Sequence, residues 1–135
     1  MRLILLKSKI HRCTVTEARP DYEGSLSIDP KIMRMAHILP YEQLHIYDVT
    51  NGNRITTYAI AGGPGEFGVN GAAAHLIRKG DIIIVATYAP MEIAEAKKHE
   101  PTVVLVGPKN VVKSVHTGIL GGLFSDKPPK KRKKS

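Results

Sequence analysis

The chain has 135 residues, 42% of them hydrophobic, which is the size of one domain with a real core and leaves no room for a second full domain. Cys13 is the only cysteine, so an intramolecular disulfide is excluded and a reducing compartment, the cytoplasm, is expected. The formal charge of +8 invites a nucleic-acid partner, but Lys127, Lys130, Lys131, Arg132, Lys133 and Lys134 carry six of the twenty cations, and the rest roughly balance twelve acids.

The N-terminal "MRLILLKSKIHR" breaks its apolar run with Lys7 and Lys9, too soon for a signal-peptide core or a membrane span. It predicts an entering strand over residues 3–6 and no membrane partner. "YEGSLSID" places Gly24 before Ser25 and ahead of a short apolar alternation, a turn leading into a strand. Asp29 then reads as a helix N-cap with Pro30 at the first helical position, where a missing N–H costs least; the helix runs through Ala36.

"TNGN" predicts a type I′ hairpin joining strands over residues 44–49 and 54–60. "AGGPGEFG" reads as a mobile glycine-rich loop, lacking the Gly-Lys-Ser/Thr ending of a phosphate loop. "NGAAAHLI" predicts a second short helix, started at Gly71, and "MEIAEAKK" a helical turn; "GDIIIVAT" and "TVVLV" are strands.

Residues 36–49 and 74–87 rhyme at an offset of thirty-eight. Each reads as a helix end, a turn and a strand, which suggests a small closed barrel with pseudo-two-fold symmetry. "SDKPPKKRKKS" closes the chain as a basic, proline-bearing tail expected to be disordered, similar to an import signal or a nucleic-acid arm.

Six histidines at positions 11, 37, 45, 75, 99 and 116 form no His-Glu-x-x-His run, and no cysteine pairs exist, so no metal is expected. "EGSLS" lacks the second glycine of a serine-hydrolase elbow.

The stretches "KSKIHRCTVTEA", "YEGSLSID", "VTNGNRITTYAI", "VNGAAAHL" and "GDIIIVATY" resemble, in order and near spacing, the pyruvoyl-dependent aspartate 1-decarboxylases over residues 1–118. The resemblance implies a mainly β, six-stranded double-psi β-barrel with short helices over residues 1–120, self-cleaved between 24 and 25, with a tail over 121–135. It also implies a homotetramer that converts L-aspartate to β-alanine for pantothenate synthesis. The cofactor implied is a covalent pyruvoyl group derived from Ser25, with neither a metal nor pyridoxal phosphate.

Roles carry over residue by residue. Gly24 and Ser25 are the cleavage site, assisted by Thr57. Tyr58 is the proton donor. Lys9 and Arg54 are cations for a dicarboxylate, Thr57 contacts the substrate, and Asn70, Gly71, Ala72 and Ala73 line the site. Tyr47 departs from the pattern, where a larger aromatic is expected. Three rivals stay open: an unprocessed barrel acting as a binding module, a nucleic-acid binder using the tail, and an enzyme for a longer acidic amino acid. A maturation-assisting protein is also left open.

Overall fold

The computed structural model describes residues 1–23 and 25–118. Gly24 and the basic tail, residues 121–135, lie outside the described residues. Nine strands dominate: β1 (Arg2–Thr14), β2 (Glu17–Arg19), β3 (Ser25–Ile28), β4 (Gln43–Asp48), β5 (Arg54–Ala61), β6 (Phe67–Asn70), β7 (Ile82–Glu92), β8 (Thr102–Val106) and β9 (Val112–Thr117). Between them lie helices α1 (Pro30–Met35) and α2 (Ile93–Ala96) and two 3₁₀ turns, Gly71–His75 and Pro108–Asn110. No helix among the described residues is long and apolar enough to cross a membrane.

The strands pair in the order β2-β6-β3-β5-β4-β7-β1-β8-β9, and no pairing joins the two ends among the described residues. The fold is thus mainly β with short helices, but the described residues form nine strands where six were expected. Of the strands not foreseen, β2 and β6 are three and four residues long, too short to carry a legible alternation.

Period-two alternation decides which side chains make the core. Ile10, Val85, Ile46 and Ile55 form one row across β1, β7, β4 and β5, and the first three are fully buried. The neighbouring row, Lys9, Ala86, His45 and Thr56, must project to the opposite face. Registry therefore puts Lys9, Arg54 and Tyr58 on the face away from the core, and Thr57 on the core side.

The internal repeat appears directly in the pairing. Ile46 opposes Val85 and Tyr47 opposes Ile84, so at the offset of thirty-eight each of these two meets the other's counterpart in the second unit. Such an antiparallel contact is a local two-fold. α1 begins as read: Asp29 Oδ1 accepts from Lys31 N at 2.8 Å, and Ala36 caps the C-terminus.

Two readings change. The loop after β4 is not a two-residue type I′ turn, because among its residues only Gly52 has positive φ, +81°. Instead Asp48 Oδ1 accepts from Thr50 N at 2.8 Å, and Gly52 N donates to the Asp48 carbonyl at 2.8 Å, closing a wider turn that ends on a left-handed glycine. The side chain of Asp48 won over the Asn-Gly preference. The glycine-rich loop is also shorter than expected, since Phe67 and Gly68 belong to β6, and it is tethered. Gly65 N donates to Asp29 Oδ2 at 2.8 Å and Gly63 N to Glu66 Oε1 at 2.9 Å.

Candidate active site

Ser25 heads β3, and its position is unusual in three respects. It is 2% exposed, its Oγ is buried without a hydrogen-bond partner among the described residues, and its φ is +100°. A non-glycine residue there is strained, and a buried hydroxyl left unpaired forgoes roughly 1–3 kcal/mol of hydrogen bonding. Such features persist only where the surrounding fold over-determines them.

The surroundings are strands on both sides. Ser25 opposes Asn70 in the antiparallel β3/β6 pair. On the other flank the parallel β3/β5 pair begins at Leu26 opposite Ala59, so Thr57 and Tyr58 directly precede that first pair on β5. The fold thereby gathers Ser25, Thr57, Tyr58, Asn70 and the following Gly71, Ala72 and Ala73 at one corner. A 3₁₀ turn, rather than an α-helix, carries the last three.

Thr57 and Tyr58 diverge as alternation requires. Thr57 opposes the fully buried Leu44, whereas Tyr58 is 40% exposed and opposes Gln43 on the outer face.

Lys9 and Arg54 share that outer face but not that corner. β4 and β7 lie between the strand of Arg54 and the strand of Lys9. Burial pulls the Lys9 ammonium below its ordinary pKa, and His11 is lowered by burial and then by the charges of Lys9 and Arg12. A partly desolvated ammonium has unspent capacity to pair with an anion.

Arg54 is held by aromatic residues. Its guanidinium lies 4.7 Å from the ring centroid of Tyr47, and Tyr47 Oη shares a 2.7 Å hydrogen bond with Tyr88 Oη. His45 meets the Tyr88 ring edge-on, with centroids 4.9 Å apart. Burial, then the bond to Tyr47, pushes the Tyr88 phenol up to about 12. His45, Tyr47 and Tyr88 line an open groove of about 530 Å³ with Ile4, Gln43 and Pro90. Tyr47 stands where a larger aromatic was expected, and its hydroxyl makes a polar tether to Tyr88.

Around Asn70 stands a cluster that motif reading passed over: Arg19, Ser27 and Glu66, tied to the Asn70 amide or to one another. Nothing in their spacing marks them, because strand pairing, not sequence proximity, brings them together. Cys13 is buried with its thiol pKa pushed up, which suits a core residue and not a nucleophile. No group of three or more His, Cys, Asp or Glu among the described residues is placed to hold a metal.

Comparison with known proteins matches residues 1–113 to the family described as aspartate decarboxylase. The aspartate 1-decarboxylase of Syntrophus aciditrophicus (strain SB) is 52% identical over 115 residues, 84% of this chain and 99% of that protein. That of Syntrophobacter fumaroxidans (strain DSM 10017 / MPOB) is 55% identical over 112 residues, 82% of this chain and 90% of the relative. A third, from Maricaulis maris (strain MCS10), is 53% identical over 114 residues, 83% and 94% of the two chains.

Proposed function

The chain belongs to the aspartate decarboxylase family, and from that premise we propose that it makes β-alanine from L-aspartate for pantothenate synthesis with a pyruvoyl group formed from its own Ser25. It is a decarboxylase. The observation carrying the reading is the strained, buried, unpartnered hydroxyl of Ser25 directly after Gly24.

In the proposed maturation, Ser25 Oγ attacks the Gly24 carbonyl carbon. The C–N bond breaks as the C–O ester bond forms, and the freed Ser25 nitrogen takes up the proton. β-Elimination then breaks the Ser25 Cβ–O bond and releases the Gly24 carboxylate; water hydrolyses the dehydro residue with loss of ammonia. Thr57, on the strand flanking β3, is the hydroxyl assigned to assist.

The residues fit the resulting group, since Ser25 already occupies a water-excluded strand head with no competing hydrogen bond. A pyruvoyl group supplies an electrophilic carbonyl that accepts the electrons left when the carboxylate departs. Arg54 offers a planar fork to one substrate carboxylate, and Lys9 offers a point charge to the other. The segment Asn70 to Ala73 lines the cleft, and Tyr58 Oη delivers the proton to the former α-carbon.

Because Thr57 and Tyr58 face opposite sides, the complete site is proposed to form between subunits of a homotetramer, Tyr58 serving a neighbour's Ser25. Exposed Ile4, Leu39 and Tyr41 supply apolar surface for such contacts. We further propose a double-psi barrel over residues 1–120, supported by the two-fold β4/β7 contact, with residues 121–135 an appended tail, in the cytoplasm. A denaturing mass spectrum tests the core of the reading. Fragments of residues 1–24 and 25–135, the second beginning with pyruvoyl, are expected; an active protein of undivided mass would overturn it and favour an unprocessed barrel.

A further inference from the structure

Ser25, Asn70 and Arg19 stand in one row across β3, β6 and β2, since Asn70 opposes Ser25 on one side and Arg19 on the other. Side chains at directly opposed positions share a face. Arg19 is therefore one strand removed from the reacting serine, and its contacts are specific. Nε donates to Asn70 Oδ1 at 3.1 Å, and Nη2 donates to Glu66 Oε2 at 2.7 Å.

The Asn70 amide then has its other end committed: Nδ2 donates to Ser27 Oγ at 2.9 Å. Asn70 and Ser27 are 2% and 5% exposed, so water has little part in this choice. A carboxamide can turn over, exchanging donor and acceptor ends. Arginine has only donors, so it admits only the amide oxygen on its side and forces the nitrogen toward Ser27.

Two further contacts hold Arg19 itself. Glu66 is braced by Gly63 N on its second oxygen, 2.9 Å away. Its pairing with Arg19 lies over Gly68, where a Cβ would collide with the guanidinium and come within 2.7 Å of Glu66 Oε2, so a side chain there would push the pair from its place. The guanidinium also lies 4.8 Å from the ring centroid of Tyr22, which belongs to the segment leading to the Gly24-Ser25 bond. Arg19 thus touches the approach to that bond on one side and the strand opposing it on the other.

We propose that Arg19 is a positioning residue for the chemistry at Ser25, locking the Asn70 amide and, through it, the β3/β6 pairing that presents the serine. The inference rests on the reading that Ser25 is the cleavage site. After cleavage Arg19 would belong to the short fragment and Asn70 and Glu66 to the long one, so the same contacts bridge the two.

The test compares wild type with Arg19→Lys, Arg19→Gln and Glu66→Gln, each refolded uncleaved, following cleavage by intact mass. A lysine keeps the charge but cannot reach two acceptors in one plane. Arg19→Lys and Arg19→Gln are expected to slow cleavage about tenfold or more, since displacement by about 1 Å near a reacting centre costs up to about a hundredfold. Glu66→Gln keeps an oxygen for Nη2 and leaves Nε on Asn70, so it is expected to slow cleavage less than either. In ¹⁵N spectra the Asn70 side-chain amide should be a single slowly exchanging pair in wild type and shifted or doubled in Arg19→Lys. An uncleaved wild type overturns both the reading and this inference. A cleaving wild type with Arg19→Lys or Arg19→Gln at the same rate, or with slowing matched by an unchanged Asn70 signal, overturns this inference alone.

Discussion

Ser25 faces Asn70 across β3 and β6 with its hydroxyl buried and unpaired and its backbone at φ +100°. Ser25→Ala deletes a buried hydroxyl that makes no hydrogen bond, so folding stability should hold or rise, by up to about 1–3 kcal/mol, while cleavage and β-alanine formation are lost. Ser25→Gly should be more stable than Ser25→Ala by about 1 kcal/mol, because it relieves the backbone strain. Denaturant melts alongside mass spectra check both; a cleaved Ser25→Ala would remove the serine from its role.

Tyr58→Phe keeps the ring, which is half exposed, and deletes the donor. The expected result is complete cleavage at Ser25, unchanged assembly, and turnover lowered by about 10² to 10⁴, the usual range for losing a general acid. Mass, gel filtration and β-alanine production on one sample decide it. Near-normal turnover in processed protein would leave water as the proton source.

The stack of Arg54 on Tyr47, with Tyr47 tethered to Tyr88, predicts a graded effect on substrate binding. Arg54→Lys should raise the KM for aspartate about tenfold or more, because the fork and the stacked plane are both lost. Tyr88→Phe removes only the tether and should raise KM less, with kcat nearly unchanged. Equal KM values in all three proteins would contradict a binding role for Arg54.

Asp48 is a buried carboxyl, and burial, followed by the neighbouring Asp81 carboxyl, pushes its pKa from 3.8 up to about 6, against the pull of Thr50 and Asn51 N–H. The folded protein therefore keeps a proton that the unfolded chain releases. Stability should fall as pH rises from about 4 to about 6 and stay lower above that window. Asp48→Asn retains the acceptor for Thr50 and offers N–H in place of the proton. It should flatten that slope and be more stable at neutral pH by on the order of 2 kcal/mol. Parallel pH–stability curves for variant and wild type would refute it.

How far the sequence could be read depended on how local each cause was. Asp29, Pro30 and Ala36 set α1 through contacts within one turn, and the outcome matches. The rhyme of residues 36–49 with 74–87 foretold that the two units pair, because a shared pattern presents the same apolar edge twice. Asp48 misled the hairpin reading, since a side-chain acceptor competing for Thr50 N is invisible in an Asn-Gly signature. Within the candidate site, Ser25, Thr57, Tyr58 and Asn70 were legible as candidates through family motifs. Arg19, Glu66 and Tyr88 were not, as their partners are forty or more positions away and only sheet order joins them.

β1 lies inside the sheet, antiparallel to β7 along one edge and parallel to β8 along the other, and it lies wholly upstream of residue 24. The proposed scission would thus detach an interior plank, not a fringe. Ile10 and Cys13, both fully buried, would go with it if it left, opening the seat of Val85 and Val104 to solvent. A processed molecule should consequently sediment, melt and survive dilution as a single body, its two polypeptides parting only under denaturant. Its permanence is noncovalent, and either piece made alone would lack the other's share of the interior.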